Sequence, residues 1–120
     1  MKTKILLIFA SVMLAIFSAN AENVINFSGK IGSYGVKGHV TIFGRTLVGD
    51  YKYVKSSGKL GLKGTSYSQG NNTQLIMTEV DNKGQESGYW DVIYNPSKRT
   101  VTGTMTTRKG KTYRVNLKTN

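Results

Sequence analysis

The chain contains no cysteine, one proline, one histidine and one tryptophan in 120 residues, and only six acidic side chains against 17 Lys and Arg. Without cysteine there are no disulfides, no thiolate nucleophile, no Cys-ligated zinc and no cysteine through which a bacterial lipoprotein is anchored. Glycine recurs every third residue at 29, 32, 35 and 38, but a collagen-like repeat needs abundant proline, and there is one. A single imidazole and scattered carboxylates supply no ligand spacing for a metal, so neither metal nor cofactor is expected. The remaining composition, 38% hydrophobic and 19% charged, is that of a globular protein, and the length suits one domain.

Long apolar runs are also scarce. One exists, Ile5 to Phe17, behind the basic residues Lys2 and Lys4 and ahead of Ala19-Asn20-Ala21. Its thirteen positions fall short of the roughly 20 that a spanning helix needs. A basic start, a short apolar stretch and small residues before a cleavage point make the pattern of a secretory signal. The expected organisation is a cleaved signal peptide at 1–21 and one domain at 22–120, exported to the periplasm or medium. Loss of Lys2 and Lys4 lowers the formal charge from +11 to +9. An exported domain of this size without cysteine holds together by packing and hydrogen bonds alone.

Glycine and tyrosine are plentiful instead. All 14 glycines and all seven tyrosines follow the cleavage point, spaced among Thr, Val and Ile with no long helical periodicity. Val101, Gly103 and Met105 alternate with threonines, and Tyr113, Val115 and Leu117 alternate with polar residues. A period of two is the mark of a strand with one wet face. Arg108-Lys109-Gly110-Lys111 between these segments suits a hairpin turn. The same reading predicts strands at 24–31, 35–43, 46–54, 59–67, 73–81, 87–94, 100–107 and 112–118. Gly, Asn, Pro and Ser mark the turns between them. The predicted fold is all-β: an eight-stranded antiparallel up-and-down meander, closed or nearly closed into a barrel, which removes exposed strand edges.

The segments Leu47-Val48-Gly49-Asp50-Tyr51-Lys52-Tyr53, Leu60-Gly61-Leu62-Lys63-Gly64, Leu75-Ile76-Met77-Thr78-Glu79 and Val101-Thr102-Gly103-Thr104-Met105 share a rhythm. It resembles that of small exported bacterial lipocalin-like or calycin-like meander proteins, mostly without an assigned activity, over about residues 25–118. The Gly-x-aromatic strands also resemble avidin-type barrels. Biotin sites of that type are lined by several tryptophans, and Trp90 stands alone here.

Candidate chemistry is sparse. His39 sits in an alternating stretch and reads as a wet-face residue; no local motif joins it to a serine and to Asp50 or Asp91, and no catalytic residue is expected. Glu79 and Asp81, two apart on a predicted strand, are expected to share a face, where an inward Glu79 needs a partner. Tyr51 and Tyr53 share one strand face, and Trp90 and Tyr94 share another. Facing inward, they either line a small pocket at a barrel mouth or fill the interior, and filling is the plainer reading. The candidate ligand set is Tyr51, Tyr53, Glu79, Trp90 and Tyr94.

The densest basic group, Arg108, Lys109, Lys111 and Arg114, lies on one hairpin and suits a polyanion or a partner surface. The other basic residues are dispersed over turns and wet faces and serve solubility. The row Thr102, Thr104, Thr106 is a single threonine strand rather than an ice-binding array.

These readings converge on an exported, monomeric, non-enzymatic binding protein for a small ligand or an extracytoplasmic partner. One alternative is an inhibitor or immunity-type protein that blocks a secreted enzyme through the Arg108–Lys111 turn. Another is a basic surface for anionic envelope polymers such as anionic glycan or lipopolysaccharide. Nucleic acid is not an expected partner, because no recognisable binding module is present and export separates the chain from it.

Overall fold

A computed structural model describes residues 23–120. The expected signal segment at 1–21 lies outside the described residues. Eight strands follow one another: β1 (Asn23–Ile31), β2 (Tyr34–Phe43), β3 (Thr46–Tyr53), β4 (Lys59–Gln69), β5 (Asn72–Val80), β6 (Glu86–Asn95), β7 (Thr100–Thr107) and β8 (Thr112–Thr119). Each pairs antiparallel with the next, and β1 closes on β8 from Phe27 opposite Thr119 to Ile31 opposite Val115. The result is a closed up-and-down barrel, as the alternation predicts, with boundaries within two residues of those expected.

Alternation decides the interior. Ile25, Phe27 and Ile31 of β1, Val36 and Val40 of β2, Leu47 and Tyr51 of β3, and Trp90 and Val92 of β6 are all buried. Leu62, Leu75, Met77, Val101, Met105, Val115 and Leu117 complete the core. Fully burying one such side chain stabilises by roughly 1.5–3 kcal/mol, and here that burial supplies the cohesion that disulfides supply elsewhere. The outer wall carries exposed Ser28, Lys30, Lys37, Lys63, Thr102, Thr104 and Arg114. The interior is apolar, and the outer wall is mixed, since Val24, Val48, Ile76 and Tyr89 are also exposed on it. Among the described residues, no helix is long and apolar enough to cross a membrane.

So narrow a barrel requires strands to bend sharply, and inward-facing glycines permit it. At Gly49 a Cβ would overlap the His39 carbonyl oxygen of β2 and stand 2.7 Å from Val40 Cα. Gly103 combines a similar approach to Asp91 and Val92 of β6 with a φ of +154°, which disfavours any side chain.

Up-and-down order also sorts the turns. The β1–β2, β3–β4, β5–β6 and β7–β8 connections share one end of the barrel, here the upper end. The β2–β3, β4–β5 and β6–β7 connections share the lower end with the C-terminal residues.

Asp81 departs from expectation. It lies beyond β5, in the β5–β6 turn, after a register irregularity between Glu79 and Val80. Its Oδ1 accepts the backbone N–H groups of Lys83 and Gln85, both at 2.9 Å. An aspartate that mimics a backbone turn in this way ends the strand. The expected Glu79–Asp81 pair on one strand face is therefore not built.

Candidate functional site

Glu79 is the buried carboxylate of the barrel, 5% exposed, near the upper end of β5. Its Oε1 accepts the Tyr51 hydroxyl and, at 3.2 Å, the Trp90 indole N–H. Its Oε2 accepts the Ser87 hydroxyl at 2.8 Å. A buried carboxylate is costly unless it is bonded, and three donors from β3 and β6 meet that demand without a cation. Burial first, and the adjacent Glu79 charge second, push the Tyr51 phenol well above the usual tyrosine range. Burial likewise pushes Tyr53 up, again with a contribution from Glu79. Both phenols stay protonated at ordinary pH and act as donors rather than bases.

Five aromatic rings run from this network in both directions. Tyr34, 59% exposed on the rim, lies edge-on to Tyr53 with centroids 6.2 Å apart. Tyr53 contacts Tyr51 at 5.6 Å, Tyr51 contacts Trp90 at 5.0 Å, and Trp90 contacts Phe27 at 6.3 Å. Edge-to-face and tilted geometries at these spacings are favourable for aromatic pairs. The column ends in the core, so the inner rings fill the barrel while the outer ones meet solvent.

Above the column the barrel opens. A pocket of about 330 Å³ is lined by Ile31, Tyr34, Tyr53, Met105, Thr107 and Tyr113, all at the upper ends of their strands. A basic lobe of about 460 Å³ shares Thr107 and Tyr113 with it and adds Ser87, Arg108, Lys109 and Lys111. A third, of about 220 Å³, shares Tyr34 and Tyr53 and adds Lys55 and Val54. Lys111 Nζ stands 5.3 Å from the centre of the Tyr113 ring, a cation–π contact that holds the ammonium over the pocket wall. Ser87 joins the parts, lining the basic lobe while it bonds Glu79 below.

The sequence-derived ligand set is thus partly assembled. Tyr51, Glu79 and Trp90 meet in one hydrogen-bonded cluster beneath the mouth, and Tyr53 stands between that cluster and the opening. Tyr94 does not join them: it lies at the lower end of β6, opposite Thr73 and Val101. Of the basic set, Arg108, Lys109 and Lys111 line the mouth, whereas Arg114 belongs to the outer wall opposite Thr104. Asp81 meets Arg108 Nη2 at 4.0 Å across the two turns. The Gln85 and Lys83 backbone N–H groups, Gln85 first, hold its carboxyl below the usual carboxylate range. His39 is on the outer wall as expected, 3.7 Å from Asp50 Oδ1, and among the described residues no serine hydroxyl bonds it.

Tyr34, Ser87 and Tyr113 were not singled out by sequence. For the two tyrosines the signal is positional, because in an up-and-down meander inward aromatics next to every second turn share one rim; Ser87 sits at the irregularity between β5 and β6, which alternation does not reveal. Among the described residues, no group of His, Asp or Glu is arranged to hold a metal ion. Comparison with known proteins returns no matching family, no matching curated protein and no matching solved structure.

Proposed function

We propose that the protein is an exported, non-enzymatic binding protein that takes a small ligand at the upper mouth of its barrel. The ligand has a flat apolar body and an acidic group. The observation that carries this reading is the joining of an aromatic pocket, lined by Tyr34, Tyr53 and Tyr113, to a lobe lined by Arg108, Lys109 and Lys111. Barrel mouths are favoured places for small-molecule sites, with apolar walls and a few polar groups that fix orientation. The apolar body stacks on the tyrosines and the acid meets the basic turn. Glu79, bonded to Tyr51, Trp90 and Ser87, holds the floor rigid. The calycin-like rhythm of the strands supports the same reading, and the N-terminal basic, apolar and small-residue pattern supports export.

1-Anilinonaphthalene-8-sulfonate has the required shape, an aromatic body with one sulfonate, and serves as the probe. Its fluorescence is expected to rise on binding the folded protein. Tyr34→Ala and Lys111→Ala are each expected to weaken binding several-fold with little change in thermal stability, since both side chains are exposed. Binding that is absent, or unchanged in the Tyr34→Ala, Lys111→Ala double variant, rejects the mouth as the site.

A further inference from the structure

A second feature lies on the outer wall, away from the mouth. Register places Lys37 of β2 directly opposite Lys52 of β3, and Lys52 directly opposite Lys59 of β4. Ser28 of β1 faces Lys37 on the other side and Lys118 of β8 beyond it. Four lysines and one serine therefore form a row across five adjacent strands, about 19 Å along the curved wall at the usual strand spacing. Like charges directly opposite one another destabilise a sheet. Among the described residues, none of these lysines forms an ion pair with an acid; the nearby Asp50 is engaged by His39.

An open groove lies on this wall. It has a volume of about 500 Å³ and is lined by Lys37, Lys52 and Lys59 together with Asn26, Ser28, His39 and Asp50, with the rest of its surface from Phe27, Gly38 and Asn120. At Gly38, one of its lining residues, a Cβ would overlap the β3 backbone at Asp50 and Tyr51, so β2 and β3 approach closely beneath it.

We infer that this groove binds a segment of an acidic polysaccharide. Three unpaired ammonium groups in line ask for an anion that repeats along a chain rather than a single point charge. Lysines, unlike the planar fork of arginine, act as point charges and suit separate carboxylate or sulfate groups. Asn26, Ser28 and His39 add neutral hydrogen-bonding groups for sugar hydroxyls. Single-stranded nucleic acid needs aromatic platforms, and Phe27 is turned into the core. A membrane surface needs a protruding apolar face, whereas Phe27, the large apolar side chain of this groove, is buried. The site does not rest on the mouth pocket, and neither reading depends on the other.

The test uses the exported chain, a heparin oligosaccharide and an oligogalacturonate as the sulfated and carboxylated probes, with dextran, oligo-dT and anionic phosphatidylglycerol vesicles beside them. Calorimetric titration at low salt is expected to show binding of at least one acidic oligosaccharide and none of dextran. Affinity should fall with salt at a log–log slope near −2 for three neutralised charges. The Lys37→Gln, Lys52→Gln, Lys59→Gln triple variant is expected to lose roughly tenfold or more in affinity, as charge-driven binding requires. It should melt no lower than the parent, because three like charges in register are gone. Lys109→Gln, Lys111→Gln is expected to bind as the parent does. An equal loss in that hairpin variant, an unaffected triple variant, tighter binding of oligo-dT or vesicles, or no binding of either acidic oligosaccharide overturns the proposal.

Discussion

The Tyr51–Glu79 bond offers the sharpest test of how the barrel is held. Tyr51→Phe removes one of three donors to a buried carboxylate while leaving the ring that packs against Trp90 at 5.0 Å. Glu79 keeps Trp90 at 3.2 Å and Ser87 at 2.8 Å, so the loss is one hydrogen bond to a charged group, about 2 kcal/mol. In a domain of this size that corresponds to a fall of about 8–16 °C in Tm. Glu79→Gln still accepts from Tyr51 and Trp90 and turns its amide toward the Ser87 hydroxyl. In that background the same Tyr51→Phe change breaks a neutral bond and costs about 1 kcal/mol.

A pH series adds an independent sign. The folded protein raises the Tyr51 pKa above its unfolded value near 10, so below pH 10 both states keep the proton and pH has no effect through this group. Above pH 10 the unfolded chain releases the proton while the folded one retains it, and stability falls by about 1.36 kcal/mol per pH unit. Tyr51→Phe lacks that slope. The gap between parent and variant, about 2 kcal/mol at pH 9, should shrink to about 0.6 kcal/mol at pH 11. Urea unfolding of the four proteins of the cycle at the two pH values measures all of this. A gap that is constant with pH, or equal costs in the two backgrounds, refutes the account of Tyr51 as a buried neutral donor to the Glu79 side chain.

Two further outcomes follow from the strand geometry. Gly49→Ala must push a methyl group into the β2 backbone at His39 and Val40, and is expected to cost about 1–3 kcal/mol or more by chemical denaturation, whereas Gly44→Ala, at an open turn, tests only the φ of +62° there. Asp81 has a folded pKa depressed by the Gln85 and Lys83 N–H groups, so its contribution is present above the unfolded carboxyl pKa and is lost as pH falls through the folded one. Asp81→Ala is therefore expected to lower Tm at pH 7 and to converge with the parent under acid, while Asp81→Asn, which keeps an acceptor, lies between them.

Much of the wall of the barrel is legible in the chain. The β7–β8 hairpin declares itself because Val101–Met105 and Tyr113–Leu117 alternate strictly around Arg108–Lys111, and the side-chain period is a local property of an extended backbone. Tyr51, Glu79 and Trp90 stand out for the same reason: inward positions with polar or aromatic character need partners. Asp81 misleads because alternation does not register a strand ended by an Asx turn; its carboxylate bonds to its own backbone neighbours and breaks the period. Tyr94 misleads differently. It does share a face with Trp90, but four residues along a strand is about 13 Å, enough to put it at the other end of so short a barrel.

From the sequence alone came the elements that depend on neighbours along the chain: eight strands, their turns, the inward faces, and a core without disulfides. Tertiary structure decided everything that depends on which strand lies beside which. Closure of β1 on β8 brings residues from both ends of the described chain together, and no local pattern encodes it. Grouping of every second turn at one end gathers Tyr34, Tyr53 and Tyr113 into one mouth with the basic hairpin. Register alone sets Lys37, Lys52 and Lys59 side by side, because strand pairing turns positions far apart in the chain into neighbours about 5 Å apart.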